Sequence, residues 1–497
     1  MYMNRSAGIL MPISSLPSNY GIGTFGKAAY DFVDFLYEAK QSYWQVLPLG
    51  PTSYGDSPYQ SFSTYAGNPY FIDLDILCEE GLLEKKDLKD LVVKDDGYVD
   101  YGWLFNTRFE ILYKAYLRGI RKDLDEFNEF ISNNQNLQEY ALYMAIKDYY
   151  DMKSWIDWPD EKIRKRDLDT INKYREKLKT RIEFYEYVQF LFFKQFNELK
   201  EYMNLKGIKL IGDIPIYIAL DSCDCWLNPE CFELDDEYIP KAVAGVPPDY
   251  FTEDGQLWGN PLYRYDYMKT NGYKWWIDRI GAATKLYDVI RIDHFRGFES
   301  YWSVPYGDKT AKNGKWVKGP GMELVSIFKN WFSGTQFIAE DLGYHTPEVQ
   351  KLLDDSGFPG MKVLEFGFDS REVSNHAPHA YKNNCVCYVG THDNSTIMGW
   401  TTAADKNDVK YAMKYLGLNS LVDFNWHMII AGMSSVADIF IAQIQDYIGL
   451  DDSARINKPG SIGENWKWRL NKNELQKSLS KKIAEYTIMY ERYKDAS

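Results

Sequence analysis

Apolar runs along the chain predict eight short buried strands. They fall at 8–13, 43–49, 209–214, 287–293, 336–341, 362–367, 385–391 and 436–444. Runs of this length, bounded by polar residues, are typical of strands that are buried on both faces. Patterns with an apolar helical stripe lie between several of the runs, as at 28–40 and 346–357. Strands that alternate with helices predict an α/β fold with a parallel sheet.

Eight such strands favour a (β/α)8 TIM barrel, with a doubly wound open sheet as the alternative. Acidic residues favour the barrel, since Asp213, Asp293, Glu340 with Asp341, and Asp393 lie at or just beyond the C-terminal ends of predicted strands. Barrel enzymes carry their chemistry at that end. One acidic residue there could merely cap the next helix, but four positions on one rim are harder to explain in this way.

Two long segments interrupt the strand pattern. The gap between the second and third strands carries charge-rich helical sequence, which predicts a helical insertion over 75–200. Residues 215–286 include AGVPPDYFTEDGQLWGNPLY, where Gly, Pro and aromatic residues alternate without a period, so we expect an insertion with a substrate-binding loop. About fifty residues follow the eighth strand, too few for a C-terminal β-sandwich of about 100 residues. Residues 1–497 are therefore expected to form a single catalytic barrel.

Residues 286–297, LYDVIRIDHFRG, combine a buried strand with a cluster of charges. Side chains alternate along a strand, so Arg291 and Asp293 lie on one face. A guanidinium beside a carboxylate favours the ionised form, and a fixed ionised carboxylate can act as a nucleophile. A buried ion pair that only tethers the end of the strand is the alternative interpretation.

Two further strand ends carry carboxylates, in FIAEDLG at 337–343 and VGTHDNST at 389–396. Retaining glycoside chemistry requires an ionised carboxylate and a protonated one about 5–5.5 Å apart, a spacing that neighbouring barrel strands provide. Asp293 suits the nucleophile, and Glu340 suits the acid because the apolar run before it would raise its pKa by desolvation. Asp393 and His392 could bind sugar hydroxyls and stabilise charge on the ring. A loop cap at Glu340, a structural histidine at His392, and Mg²⁺ binding remain alternatives.

Composition narrows the class of substrate. The formal charge of −14 and the pI near 5.1 argue against a nucleic-acid surface, since a polyanion would be repelled. The 40 Tyr and 15 Trp suit the flat apolar faces of sugars, although an aromatic-rich interior would explain them equally well. We therefore expect an uncharged substrate.

The sequence also gives expectations about location and cofactors. The start of the chain lacks a signal-peptide pattern, and no apolar stretch approaches the roughly 20 residues that span a bilayer, so a cytoplasmic protein without membrane contact is expected. Cys223, Cys225 and Cys231 do not match common zinc spacings, which predicts free thiols. The Gly21–Gly23 G-x-G lacks the context of a dinucleotide fingerprint. No cofactor and no metal are expected, and the sequence identifies no protein partner.

The stretches RIDHFRG, IAEDLG and GTHDN resemble the catalytic stretches of the amylomaltases. These are the 4-alpha-glucanotransferases, or disproportionating enzymes, of glycoside hydrolase family 77 in the α-amylase superfamily. Further similar stretches run along nearly the whole chain: GILMPISSLPSNYGIGTFG near the start, SYGDSPYQSFSTYAGNPYF at 53–71, LIGDIPIYIALDS at 210–222, VPPDYFTEDGQLWGNPLY at 246–263 and NKPGSIGENWKWR at 457–469. The SPYQ and PPDYF stretches are highly specific.

This resemblance implies a role for each matching residue. Asp293 would be the nucleophile, Glu340 the general acid and then base, and Asp393 the transition-state stabiliser. Substrate-binding roles would fall to Tyr59, Asp213, Asp249, Trp258, Arg291, His392 and Asn465. The substrates would be maltooligosaccharides and α-1,4-glucans, and the chemistry would need no cofactor.

The hypothesis from the sequence is a retaining α-1,4-glucan transferase on a (β/α)8 barrel. One rival is an amylase-type hydrolase, in which water takes the glycosyl unit from the same carboxylates. The other is a non-catalytic glucan-binding scaffold, which the presence of all three carboxylates argues against.

Overall fold

The computed structural model describes residues 4–53, 55–93, 97–248, 252–461 and 463–493. Its strands are β1 Ser6–Leu10, β2 Tyr43–Gln45, β3 Lys209–Ile214, β4 Ala242–Val246, β5 Gln256–Pro261, β6 Val289–Ile292, β7 Ser300–Pro305, β8 Lys315–Lys318, β9 Gln336–Ala339, β10 Gly360–Val363, β11 Cys385–Tyr388 and β12 Ile439–Gln443. They form one sheet of eight strands and one of four.

The eight-stranded sheet is a parallel barrel with the order β10-β11-β12-β1-β2-β3-β6-β9. The ends of this order meet where the Ala339 N–H of β9 donates to the carbonyl of Pro359, just before β10, at 2.9 Å. The Asp341 side chain strengthens this junction, because its Oδ1 accepts the Met361 N–H at 2.6 Å. The predicted (β/α)8 barrel is confirmed, and the doubly wound open sheet is wrong.

All eight predicted strand positions contain a barrel strand, but most of the predictions run past the end of the strand; β2, predicted at 43–49, ends at Gln45. The sequence predicts a strand at 362–367, whereas β10 ends at Val363 and Leu364–Gly367 form a 3₁₀ turn. The apolar pattern continues past the end of the strand because Leu364 and Gly367 are buried in this turn as well. A buried run therefore locates this strand without fixing where it ends.

The helices surround the barrel and fill the long connections. They are α1 Lys27–Glu38, α2 Leu74–Glu79, α3 Tyr101–Gly119, α4 Leu124–Ser132, α5 Gln135–Tyr149, α6 Glu161–Arg164, α7 Leu168–Lys177, α8 Lys179–Leu205, α9 Cys223–Leu227, α10 Tyr265–Thr270, α11 Lys274–Leu286, α12 Met322–Trp331, α13 Pro347–Ser356, α14 Ile397–Ala403, α15 Lys406–Tyr415, α16 Phe424–Ser434, α17 Ile444–Ile448 and α18 Lys477–Met489.

Helix α13, predicted at 346–357, shows how local sequence sets the ends of a barrel helix. The Thr346 Oγ1 accepts the Val349 N–H, and Pro347 occupies the first turn, where its missing N–H costs no hydrogen bond. Gly357 ends the helix in the left-handed conformation, at φ 69°. These caps begin α13 soon after the C-terminal end of β9, so the connection that carries Glu340 is short.

Two connections of the barrel carry additional structure. Helices α2–α8 lie between β2 and β3, and α9, β4, β5, α10 and α11 lie between β3 and β6. Strands β4 and β5 join β7 and β8 in the antiparallel sheet β5-β4-β7-β8, which the sequence analysis does not predict. The boundaries 75–200 and 215–286 remain predictions, since the order of helices and strands does not define where a domain begins and ends.

The chain after β12 carries helices. Among described residues 444–461 and 463–493, α17 and α18 are present and no strand follows β12. All six cysteines are free, with five of them buried. In the described part of the chain, no helix has the length and apolar character needed to cross a bilayer.

Candidate active site

Two charged side chains, those of Arg291 on β6 and of Asp293 just after it, lie at the C-terminal end of the barrel. Arg291 pairs with Asp213 of β3 in the parallel register, so the two side chains point the same way. The Arg291 Nη1 lies 2.5 Å from the Asp213 Oδ2 and 3.2 Å from the Asp293 Oδ1. One guanidinium therefore bridges two carboxylates, of which Asp213 is fully buried and Asp293 is partly exposed.

Tyr59 connects this charged cluster to His392. The Tyr59 hydroxyl donates to the Asp213 Oδ2 at 2.7 Å and lies 2.9 Å from the His392 Nε2. Its ring stacks on the His392 ring with centroids 5.2 Å apart, and the Trp466 ring packs beside both. Burial lowers the pKa of His392, which keeps the imidazole neutral. These contacts bring together four residues that lie far apart in the sequence.

Asp293 and Glu340 occupy neighbouring positions on adjacent strands. Ile292 of β6 pairs with Ala339 of β9, and Asp293 and Glu340 are the next residue of each strand. The Glu340 N–H donates to the Ile292 carbonyl at 2.9 Å, which extends the ladder to the two acids. Parallel strands lie about 4.8 Å apart, so both carboxyl groups face the same space above the barrel.

Two backbone donors fix the Glu340 carboxyl group. The Oε2 accepts the His294 N–H at 2.7 Å, and the Oε1 accepts the Leu342 N–H at 2.8 Å. His294 reaches this position in the left-handed conformation, at φ 52°, which is uncommon for a residue other than glycine. The Trp258 ring packs against the His294 ring at 4.9 Å. Asp341, the next residue, points away and holds β10, so Glu340 is the acid of this pair that faces Asp293.

Burial sets the proton affinities of the two acids. Desolvation raises the pKa of Glu340 to about 7, against the opposing effect of Arg291, as the apolar run before it predicts. Desolvation also raises the pKa of Asp293, and the nearby Asp213, Glu340 and Asp393 raise it further. Arg291 lowers the pKa of Asp293 as the sequence predicts, but burial outweighs it because Arg291 lies closer to Asp213.

Asp393 follows β11 and is held by Arg455 and Asn457, two residues for which the sequence predicts no role. The Asp393 Oδ1 accepts the Asn457 Nδ2 at 2.6 Å, and the Asp393 carbonyl accepts the Arg455 Nη2 at 2.6 Å. The Asn457 N–H donates to the His392 carbonyl at 3.0 Å. Asn457 opens the stretch NKPGSIGENWKWR, so the signal that could have identified it was present in the sequence.

The remaining predicted binding residues lie in loops around these acids. Trp258 is on β5 and reaches the site through its contact with His294. Asn465 closes the loop that follows Asn457, because its Oδ1 accepts the Lys458 N–H at 3.0 Å. Asp249 lies outside the described residues. Tyr59, Asp213, Arg291 and His392 thus form one connected network with the acids, whereas Trp258 and Asn465 border it.

The acids of the site accept hydrogen bonds from neighbouring protein groups. Within the described ranges, no group of three or more His, Cys, Asp or Glu residues could hold a metal ion. The carboxylates are instead bound by Arg291, Asn457 and backbone N–H groups. Such an arrangement can attack, protonate and stabilise a polar uncharged substrate.

Comparison with known proteins identifies the family. A family model described as 4-alpha-glucanotransferase matches residues 11–475. The chain belongs to the 4-alpha-glucanotransferase family. The resemblance seen in the sequence is thereby confirmed, and so is the expected class of enzyme, one that transfers glycosyl groups.

Relatives of this family match the chain over its whole length. The 4-alpha-glucanotransferase of Clostridium butyricum is 48% identical over 487 residues, which cover 97% of this chain and 100% of that protein. The 4-alpha-glucanotransferase of Thermus thermophilus is 43% identical over 488 residues and 96% of each chain. The amylomaltase of Streptococcus agalactiae, solved in complex with acarbose, superposes with a TM-score of 0.96 at 41% identity, over 99% of this chain and 100% of that one.

Proposed function

We propose that the protein is a retaining 4-alpha-glucanotransferase that moves a segment of an α-1,4-glucan to the 4-hydroxyl of another glucan or of glucose. The observation that carries the proposal is the placement of Asp293 and Glu340 one residue beyond paired positions of β6 and β9. Adjacent carboxyl groups on one face suit the double displacement of retaining enzymes, which needs about 5–5.5 Å between them. Membership of the family supports the reaction class.

In the first step, a carboxylate oxygen of Asp293 attacks the anomeric carbon of the donor glucan. The bond from that carbon to the glycosidic oxygen breaks, and Glu340 gives its proton to the departing oxygen. The raised pKa of Glu340, about 7, keeps the proton available near neutral pH. Asp393 faces the same space and stabilises the positive charge that develops on the ring in the transition state.

In the second step, the ionised Glu340 takes the proton of the acceptor 4-hydroxyl. The acceptor oxygen attacks the anomeric carbon, and the bond to Asp293 breaks, which restores the enzyme. Two inversions at one carbon retain the α configuration. The same intermediate would be hydrolysed if water took the place of the acceptor, so transfer requires that the acceptor site favour a sugar.

The surrounding side chains are suited to hold the donor sugar. Arg291, His392 and Tyr59 form a polar wall next to Asp293, with Asp213 behind them, and each can exchange a hydrogen bond with a hydroxyl group. Trp258 and Asn465 border the groove, and the match of Asp249 to the family stretch VPPDYF supports a substrate-binding role for this residue. Aromatic rings contribute apolar area for the faces of the glucose units.

Incubation of the pure protein with maltotriose alone tests the reaction class. We expect glucose together with a ladder of longer maltooligosaccharides, and no net gain of reducing ends, since each transfer makes one bond for each bond it breaks. Chromatography of the products and a reducing-sugar assay measure both quantities. Glucose and maltose without a ladder would establish the hydrolase instead, and unchanged maltotriose would favour the glucan-binding scaffold.

The Tyr59→Phe variant tests the polar wall. The change removes the hydroxyl that donates to Asp213 and contacts His392, while the stacked ring remains. We expect roughly a 10- to 100-fold loss of kcat/KM, since a hydrogen bond to a charged group contributes about 1.5–3 kcal/mol and the ring packing is kept. The exposed Tyr344→Phe change is the matched control. If Tyr59→Phe and the wild type have equal kinetics, the Tyr59 hydroxyl takes no part in substrate binding.

A further inference from the structure

Residues 452–457, which follow α17, hold the loop that carries Asp393 through hydrogen bonds. The Arg455 side chain donates to three acceptors: the Asp393 carbonyl at 2.6 Å, the Asn457 carbonyl at 2.7 Å and the Ser395 Oγ at 3.2 Å. Ser395 in turn donates to the Asp452 Oδ2 at 3.0 Å. Hydrogen bonds therefore tie both sides of Asp393 to residues 452–457.

Asn457 makes the contact with the carboxylate itself. Asn457 is 9% exposed as a whole residue, whereas the side chain of Asp393 is 43% exposed. In the described part of the chain, Asn457 is the side-chain amide that donates to the Asp393 carboxylate. A hydrogen bond from a fixed, buried amide to a partly exposed carboxylate holds the carboxylate in one orientation.

We propose that Asn457, held in place by Arg455, is the positioning residue for Asp393. The inference rests on the proposed function, in which Asp393 stabilises the transition state. Asn457 fixes one oxygen of Asp393, and the second oxygen is left free to face the sugar ring. Without this contact the carboxylate could rotate toward solvent, and its stabilising effect on the developing positive charge would fall.

The loop that follows Asn457 supplies a reason for this arrangement. Lys458 and Ser461 are joined to Asn465, and the Trp466 N–H donates to the Ile456 carbonyl at 2.7 Å. The Trp466 ring packs on Tyr59 and His392. The loop that begins at Asn457 therefore lies beside the donor site. Asp393 is thus oriented by a part of the structure that the glucan would contact.

A double-mutant cycle on transfer rates tests the proposal. The four proteins are the wild type, Asn457→Ala, Asp393→Ala and the double variant, measured by fluoride release from α-maltosyl fluoride, whose good leaving group keeps slow variants measurable. We expect Asn457→Ala to lower kcat roughly 10- to 100-fold in the wild type and by less than about 3-fold in the Asp393→Ala background. The KM should stay within about 3-fold, since Asn457 acts through Asp393.

A charged variant gives an independent readout. Asn457→Asp replaces the amide donor, 2.6 Å from the Asp393 carboxylate, by a second carboxylate that repels Asp393 from its position. The loss of kcat should therefore exceed that of Asn457→Ala, and this excess should disappear in the Asp393→Ala background. Asn106→Asp on α3 is the control, because the exposed Asn106 side chain donates to the Gly102 carbonyl of its own helix. A purely structural role would lower the rate by the same factor in both backgrounds.

The outcomes distinguish a failure of the proposed function from a failure of the positioning role. If Asp393→Ala keeps wild-type activity, the proposed role of Asp393 fails. If Asp393→Ala is impaired but Asn457→Ala loses the same factor in both backgrounds, or the extra loss of Asn457→Asp persists without Asp393, the positioning role of Asn457 is overturned and the proposed function stands. Thermal melting curves of all variants check that they are folded.

Discussion

The Asp293→Asn variant is expected to lose turnover by ~10⁴-fold or more while still binding maltooligosaccharides, because an amide cannot form the glycosyl-enzyme bond. The side chain keeps its shape, and its carbonyl oxygen can still accept from Arg291. Isothermal titration with maltotriose measures binding, and the maltotriose product ladder measures turnover. The Asp31→Asn change on the exposed face of α1, where Asp31 pairs with Lys27, is the matched control.

The stability of this variant separates loss of chemistry from loss of fold. Burial and neighbouring carboxylates raise the pKa of Asp293 in the native state, so the folded protein binds a proton that the unfolded chain releases. The contribution of Asp293 to stability is therefore fully present below the pKa of the unfolded chain and is lost as pH rises through its native pKa. At pH 8 we expect Asp293→Asn to have a Tm equal to or above that of the wild type. If the variant is inactive and its Tm is much lower, the loss of activity does not support Asp293 as the nucleophile. If the variant is active, Asp293 is not the nucleophile.

The sequence contains enough information to predict the barrel and the position of its acids. Buried apolar runs locate all eight strands, and the alternation of side chains places Arg291 and Asp293 on one face, where the structure has them in contact. The parallel ladder then brings Glu340 beside Asp293. These features follow from local pattern and from the geometry of parallel strands, so they need no knowledge of distant contacts.

The parts that sequence reasoning missed depend on contacts between distant segments. Strands β4 and β5 are short and contain Gly245 and Gly259, and β4 pairs with β7 more than fifty residues away. No local period predicts such a sheet. Asn457 lies 64 residues from Asp393, and although it opens a stretch that resembles the family, the sequence does not show which carboxylate it meets. The pKa of Asp293 also depends on burial that a strand pattern does not measure.

The Glu340→Gln variant is expected to lower transfer between natural glucans by roughly 10²- to 10⁴-fold, because the departing sugar oxygen no longer receives a proton. The amide keeps an acceptor for one of the two backbone N–H groups that hold the side chain. A donor such as α-maltosyl fluoride needs no proton on its leaving group, so its first step should be largely restored. The exposed Glu161→Gln change on α6 is the matched control. An equal loss with both donors would contradict the acid role.

The dependence on pH gives a second test of the same residue. Since the pKa of Glu340 is raised to about 7, the general acid is protonated below this pH, and kcat/KM for maltotriose should fall as pH rises above it. This basic limb should be absent in Glu340→Gln. If the limb persists in the variant, another group loses the proton, and the limb cannot be assigned to Glu340.

Azide distinguishes the two acids, because it attacks an anomeric carbon without needing a base. In Glu340→Ala the glycosyl-enzyme on Asp293 still forms from α-maltosyl fluoride, and azide should displace it to give the α-maltosyl azide after two inversions. In Asp293→Ala no such intermediate forms, so azide would enter the space of the missing carboxylate and give the β-azide after one inversion. NMR coupling at the anomeric proton identifies each product. The opposite pairing of anomers with variants would exchange the roles of Asp293 and Glu340, and the α-azide from both would exclude a covalent intermediate on either residue.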